Sequence, residues 1–404
     1  MELYYPILLD GATGTQLQKH GYSGDVCAEK WILEHPVILQ NIQKEYIEAG
    51  SQVVYAPTFG ANRIKLGENG IHDQTEEYNK RLVAISREIA GDKAFVAGDI
   101  SPTGKFLRPL GDKQFEELVD IYTEQAKALE EAGVDLFAIE TMMTVSDARA
   151  AILAVRSVSE KPILVTFTCD ENGKTLMGSD ILAVMTIMQH MDIQAFGMNC
   201  SVGPGEMLQQ LKRLHPYAEV PLIAKPNAGF PEIVDGQTVY NCPPEEFTAE
   251  IEQMLGNGVG IFGGCCGSDA SHIEALNAMV SKGAFVPPAP EAEGKLICAT
   301  EKVMFALPPD LEIGQPVPCD QTLEEYLEDL DDQQTVIALC MKDESELTYF
   351  EDCQFMIDRP LVLQTDSADL LEKALRLYQG RALYQGNLSA AQLVPLARKY
   401  GVLF

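Results

Sequence analysis

Two adjacent cysteines wrapped in glycines, Gly263-Gly264-Cys265-Cys266-Gly267, and a distant one in Gly197-Met198-Asn199-Cys200 could offer three thiolates to one metal ion. Side chains of neighbouring residues in a regular strand point to opposite faces. Cys265 and Cys266 can therefore share an ion only where the strand has ended and the backbone turns, and the flanking glycines permit that turn. Three sulfur ligands and an open position fit catalytic zinc better than structural zinc, which four protein ligands usually close. Three thiolates quench the ion as a Lewis acid toward water. Such a centre is suited to holding a substrate thiol as thiolate at neutral pH, where a free thiol with a pKa of about 8.5 is mostly protonated. The reaction class that follows is alkyl transfer to sulfur rather than hydrolysis.

Two carboxylates narrow the substrate. Asp10 leads into Gly11-Ala12-Thr13-Gly14-Thr15, whose small residues let backbone amides approach a ligand and could hold a carboxylate. Glu140 follows the apolar run Val134–Ile139. Acidic groups beside a thiol site can pair with an ammonium, so the expected thiol belongs to an amino acid. Asp99 and Asn62 are further candidates. The competing structural roles are a helix cap for Asp10, an internal salt bridge for Glu140 and three buried thiols for the cysteines.

These residues are far apart in sequence, so the elements between them must bring them together. Short apolar runs alternate with amphipathic helical stretches: Ile7–Leu9, Gln52–Tyr55, Ala94–Ala97, Val134–Ile139, Ile163–Phe167, Ala195–Met198, Leu222–Ala224 and Val259–Phe262. Helices are expected between them, with caps at Ser146 and Ser268 and with C-terminal glycines at Gly50, Gly133 and Gly258. Eight strand–helix units in about 280 residues predict a closed α/β (β/α)8 TIM barrel. An open doubly wound sheet is the competitor. Asp10, Thr58, Asp99, Glu140, Thr168, Cys200, Asn227 and the Cys265-Cys266 pair all fall at strand ends, and in barrels of this kind the site is built at the C-terminal strand ends.

Sixty acidic residues against thirty basic ones give a net charge of −30, which argues against nucleic-acid binding. No apolar run is long enough for a membrane span. The opening Met-Glu-Leu-Tyr-Tyr-Pro lacks the basic and apolar regions of an export signal, so a cytoplasmic location is expected. Ten cysteines without a small-domain disulfide pattern fit a reducing compartment. Cys27, Cys169, Cys242, Cys298, Cys319, Cys340 and Cys353 are expected to pack as small hydrophobes. The expected organisation is a barrel over 1–285, a proline-rich linker over 286–296 around Pro287-Pro288, and a smaller incomplete α/β unit over 297–404. That unit carries strand-like runs Val336–Met341, Leu361–Gln364, Ala382–Tyr384 and Val402–Phe404, and an acidic helix end over Glu328–Asp332.

The cysteine constellation and its strand-end placement resemble the homocysteine S-methyltransferase family. The resemblance runs from Ile7 to about Val280. It includes Leu9-Asp10-Gly11-Ala12-Thr13-Gly14-Thr15, Thr58-Phe59-Gly60-Ala61-Asn62-Arg63, Gly98-Asp99-Ile100-Ser101-Pro102-Thr103-Gly104, Pro226-Asn227-Ala228-Gly229 and both cysteine motifs. Within the family the chain most resembles the N-terminal homocysteine-binding barrels of cobalamin-dependent methionine synthases. The resemblance implies zinc on Cys200, Cys265 and Cys266, Asp10 and Glu140 near the homocysteine amino group, and Asn227 in the fourth position until the substrate thiolate displaces it.

Residues from Arg359 onward resemble the first half of the pterin-binding barrel that follows in those enzymes. Where that barrel's first strand ends in a Gly-Glu-Arg-Ile-Asn motif, this chain has Gly314-Gln315-Pro316-Val317-Pro318, and Gln364 stands for an Asp. The tail is therefore expected to be non-catalytic, covered by the barrel or by a second subunit of a homo-oligomer. The expected activity is methylation of homocysteine to methionine. Its donor would be a corrinoid protein (favoured by the resemblance), S-methylmethionine or betaine. The alternatives are methylation of another thiol, or a non-catalytic zinc-binding subunit of a corrinoid methyltransferase system.

Overall fold

The computed structural model describes residues 4–234, 237–291, 294–331 and 334–404. Part of the expected linker (residues 292–293) and Asp332 of the acidic stretch lie outside the described residues. The chain forms two compact units: Met1–Met177 with Ile193–Ala289, and Gly178–Asp192 with Pro290–Phe404.

The first unit is built on strands β1 (Ile7–Leu8), β2 (Val53–Tyr55), β3 (Phe95–Ile100), β4 (Leu136–Met142), β5 (Ile163–Phe167), β6 (Ala195–Asn199), β7 (Leu222–Lys225) and, after a hairpin β8 (Pro231–Val234)–β9 (Gln237–Tyr240), β10 (Val259–Phe262). Eight of these form one parallel sheet in the order β1-β10-β7-β6-β5-β4-β3-β2, and helices lie between successive strands. The protein has the α/β TIM-barrel fold. Alternate strand residues such as Val53, Tyr55, Leu136, Ala138 and Ile223 fill one inner cluster, the period-two consequence of the pleat.

The sheet closes at the seam between β1 and β2 through single contacts rather than a full ladder. The Gln52 amide donates to Leu8 O at 2.8 Å, and the Leu8 amide donates to Gln52 Oε1 at 2.9 Å. At the mouth, the Tyr55 amide donates to Asp10 Oδ2 at 2.8 Å, so a side chain supplies the last rung.

The barrel helices follow from amphipathic spacing. Phe115–Glu131 buries Phe115, Leu118, Tyr122 and Leu129 and is closed by a capping box at Gln114 and Glu117. Its close approach uses Gly98, where a Cβ would meet Leu129 Cδ1 at 3.0 Å. Gly50 and Gly133 take positive φ at helix ends, as the sequence places them; Gly258 also has positive φ, but the helix before it, Pro244–Glu252, ends earlier and is capped at Gln253. The caps expected at Ser146 and Ser268 fall instead on Thr144, whose Oγ1 accepts from the Asp147 amide, and on Asp269. Ser268 is committed elsewhere: its hydroxyl donates to Cys265 O at 2.7 Å and accepts from the Ala12 amide at 3.1 Å. The helices Gly14–Lys19, Ala28–Glu34 and Arg63–Glu68 and the β8–β9 hairpin were not expected.

The second unit pairs β11 (Leu296–Ala299) with β12 (Met304–Leu307) in antiparallel fashion. It also stacks β13 (Val317–Pro318), β14 (Ile337–Cys340), β15 (Leu361–Gln364) and β16 (Leu383–Tyr384) into a parallel four-stranded sheet. Leu403 bridges to Leu383 as a further parallel contact. The helix Ile181–Met188 belongs to this unit, as do Ala368–Leu377 and Ala390–Tyr400. Glu328 and Asp329 are exposed at the end of Leu323–Glu328, as a solvated helix end should be. No helix among the described residues is long and apolar enough to cross a membrane.

Candidate metal and substrate site

Cys200 follows the last residue of β6, where the chain leaves the sheet through two non-glycine residues with positive φ, Cys200 (+61°) and Ser201 (+58°). Such residues cost of order 1–3 kcal/mol each and persist only where neighbours over-determine them. Here the Cys200 amide donates to Lys225 O at 3.2 Å, the Val202 amide to Cys200 O at 2.7 Å, and the Asn227 amide to Val202 O at 3.1 Å. Cys265 and Cys266 follow β10 and Gly263-Gly264. The Cys265 amide donates to Pro226 O at 2.8 Å, and the Ala228 amide to Cys266 O at 2.9 Å. A Cβ on Gly264 would sit 2.2 Å from Ser268 Oγ, so only glycine allows Ser268 to hold Cys265 O and the Ala12 amide together.

The three sulfur atoms lie within 4.8 Å of one another, with Cys200 and Cys266 at 3.9 Å. Tetrahedral zinc with Zn–S bonds near 2.3 Å requires sulfurs about 3.8 Å apart. The donor set and its spacing therefore fit such an ion. Without one, the thiols stay protonated. At Cys200 the hydrogen bond from Cys265 favours the thiolate, but the Cys266 contact and burial outweigh it and hold the thiol at about 11. At Cys266 the Cys200 contact likewise favours the thiolate, and Cys265 with burial pushes the thiol up to about 12. A bound cation would invert this balance.

These sulfurs open onto a cavity of about 290 Å³ also lined by Asp10, Asp99, Glu140 and Lys225. Glu140 and Asp10 therefore do meet the cysteines, but they meet a residue that the sequence analysis passed over. Lys225, at the end of β7 and 4% exposed, donates to Glu140 Oε2 at 2.9 Å, lies 3.9 Å from Asp10 Oδ1 and stands 3.8 Å from the Tyr55 ring centre. Burial opposes its charge, and Glu140, Tyr55, Asp10 and Cys265 more than restore it, so Lys225 stays a cation. The internal salt bridge weighed for Glu140 is thus present.

Burial raises Asp10 to about 6, against the pull of Lys225 and the Tyr55 amide. Burial and the neighbouring Glu140 charge hold Asp99 well above the ordinary carboxylate range. Both Asp10 Oδ1 and Asp99 Oδ1 are buried without a hydrogen-bond partner.

Asn227 does not line the cavity. It is 2% exposed, within the segment bonded to Cys265 and Cys266, and its Oδ1 is buried without a donor. Of the amides after Asp10, that of Ala12 is engaged by Ser268, while Gly11, Thr13 and Gly14 border the cavity. Asn62 is a helix cap: its Oδ1 accepts from the Ile64 and Lys65 amides at 3.1 and 3.0 Å. Cys169, Cys298, Cys319 and Cys353 are buried packing residues, and Cys27, Cys242 and Cys340 are half-buried.

An α/β barrel with three converging thiols and acidic groups at one mouth defines a class of barrel proteins with a candidate metal and substrate site. The family model for homocysteine S-methyltransferase matches residues 7–280, and the chain belongs to that family of methyltransferase enzymes. It is 31% identical to the methionine synthases of Mycobacterium leprae (over 293 residues) and Mycobacterium tuberculosis (over 292 residues). Those matches cover 68% and 67% of this chain and 24% of each relative, so the chain spans about a quarter of the length of the curated relatives it matches. Its fold is that of the homocysteine methyltransferase MmuM from Escherichia coli. The oxidised form (22% identical, TM-score 0.57) is covered to 95% by 67% of this chain, and the metallated form (21%, 0.57) to 96% by 68%.

Proposed function

We propose that the barrel is a zinc-dependent homocysteine S-methyltransferase that makes methionine. The observation that carries this reading is the convergence of Cys200, Cys265 and Cys266 on a cavity that also holds Asp10, Glu140 and Lys225. Zinc, when bound there, would keep the homocysteine sulfur as a thiolate at neutral pH. The protein's residues bind and aim the rest of the substrate. Lys225 uses one oxygen of Glu140, which leaves the second oxygen and Asp10 Oδ1, which accepts no hydrogen bond, for the substrate ammonium. An ammonium set against these carboxylate oxygens favours an amino-acid thiol over a simple thiol. The edge formed by Gly11, Thr13 and Gly14 is the place for the carboxylate. Asn227 Oδ1, buried and lacking a donor, is suited to the fourth coordination position before substrate arrives.

In the reaction the sulfur lone pair forms the new S–CH3 bond while the bond from methyl to its donor breaks. The leaving group departs with the electron pair of the bond that breaks: a corrinoid cofactor on a partner protein, methionine from S-methylmethionine, or dimethylglycine from betaine. We place this activity in residues 1–285 and in the cytoplasm, with 286–296 as a linker and 297–404 as a non-catalytic unit. Purified protein should hold about one zinc per chain, lost on changing any of the three cysteines to Ala. Incubation with homocysteine and, in turn, methylcobalamin, S-methylmethionine and betaine should yield methionine with one of them. A zinc-loaded chain that transfers methyl only to a different thiol, or to none, would sink the reading.

A further inference from the structure

Asn199, the last residue of β6, is 1% exposed and stands between Cys265 and Thr141, the residue after Glu140. Its amide orientation is fixed by chemistry. Oδ1 receives the Thr141 backbone N–H at 2.9 Å and Thr166 Oγ1 at 2.9 Å, and a backbone N–H can only donate. Nδ2 is thereby turned toward Thr141 Oγ1, at 2.7 Å, and Cys265 Sγ, at 3.8 Å. Thr141 follows Glu140 directly and has φ +58°, a conformation that a β-branched residue keeps only when held. Asn199 holds it by both backbone and side chain. All four hydrogen-bonding partners of this one amide are accounted for, and two of its neighbours are a candidate metal ligand and the kink that aims Glu140.

We infer that Asn199 is a positioning residue that ties the Cys265 sulfur to the Thr141 turn, so that metal binding and homocysteine-ammonium binding are set by one amide group. This inference rests on the proposed metal centre. The N–H···S contact withdraws charge from the Cys265 thiolate, moderating its donation to the ion. The contacts to Thr141 keep Glu140 at the cavity wall. Partners of this kind typically contribute about 10- to 100-fold to metal affinity.

The test uses the full chain with Asn199→Ala, Asn199→Asp and Thr166→Val. Zinc affinity is measured by chelator competition, and the sulfur-to-metal charge-transfer band is recorded on Co(II)-loaded protein. Thr166→Val removes one bond to Asn199 and leaves the sulfur donor, so it serves as the control for general loosening. Asn199→Asp keeps the shape and the acceptor for the Thr141 amide but puts an oxygen against the sulfur. Both Asn199 variants should lose about 10- to 100-fold in zinc affinity and shift the band, while Thr166→Val leaves the band in place. Asn199→Ala, which also frees Thr141, should raise the homocysteine KM more than Asn199→Asp does. If Asn199→Ala does not fold, the isosteric Asp variant alone decides. Wild-type zinc affinity and band position in Asn199→Asp would overturn the inference, as would an equal band shift in Thr166→Val. Wild-type protein that takes up neither zinc nor cobalt at its thiols would instead overturn the metal centre itself.

Discussion

Lys225 Nζ lies 2.9 Å from Glu140 Oε2, joining the ends of β7 and β4 across the mouth of the barrel. The protein thus supplies its own ammonium to the carboxylates that would receive the substrate's. Replacing Lys225 by Met leaves Glu140 buried beside Asp10 and Asp99 without a cation. Removing one partner of a buried pair costs about 3–5 kcal/mol. Chemical unfolding of Lys225→Met should show a loss of that order, together with a higher homocysteine KM. A stability within 1 kcal/mol or so of wild type would mean that the carboxylates simply take up protons.

Asp10 gives a pH signature whose sign can be worked out. Its folded value of about 6 lies above the ordinary 3.8, so between these values the folded state binds more protons than the unfolded chain. This group's contribution to stability therefore falls as pH rises from about 4 to 6, by about 3 kcal/mol in total. Asp10→Asn abolishes that titration. The stability gap between the two proteins should move in favour of the variant from pH 4 to pH 7, as read from urea midpoints at each pH. A pH-independent gap would place the Asp10 carboxyl at its ordinary value.

Gly264→Ala tests whether the metal loop depends on close approach. The added methyl would stand 2.2 Å from Ser268 Oγ and 2.6 Å from its Cβ, so the Ser268 contacts to Cys265 and Ala12 must give way. Overpacking of this kind costs about 1–3 kcal/mol. Thermal unfolding should register the loss, and zinc content should fall with it. Full zinc occupancy in this variant would show that the loop tolerates a Cβ.

Metal removal should be visible in thiol chemistry. Free of metal, Cys200 and Cys266 are held near 11 and 12 by their contacts and burial, so they should alkylate slowly at pH 7.5 and faster toward pH 10. Zinc-loaded protein should resist alkylation at both pH values. Mass spectrometry of peptides containing Cys200 and Cys266 provides the readout. Equal labelling with and without zinc would place the metal elsewhere.

Much of this architecture was legible in sequence because the signals are local. The eight apolar runs coincide with barrel strands to within a few residues, and β5 and β10 match at both ends. Gly50 and Gly133 carry the positive φ that helix ends require, whereas Gly258 closes a turn after a helix that has already ended at Glu252. The cysteines were found because adjacent thiols flanked by glycines have few structural uses. Lys225 carries no such signal: it follows the apolar run Leu222–Ala224, and a lysine beyond a strand is ordinarily solvated. Only the three-dimensional closeness of Glu140, Asp10 and Tyr55 makes its burial affordable. Asn199 carries no local signal for a similar reason: its partners Thr141, Thr166 and Cys265 lie 33 to 66 positions away. The cap falls on Asp269 because Ser268 is needed by the loop before its helix, and on Thr144 because that helix already starts at Val145, ahead of Ser146.

The seam between β1 and β2 has a consequence for how this protein can change. Its last rung at the mouth is the Asp10 carboxylate accepting from the Tyr55 amide, while the other oxygen of the same group accepts no hydrogen bond and Asp10 lines the cavity. Barrel closure and, in the proposed function, recognition of the substrate ammonium thus draw on a single side chain. A substitution at position 10 cannot be screened for one property without selecting on the other. Engineering a tighter barrel and engineering a new acceptor specificity would begin from the same codon and pull it in opposite directions.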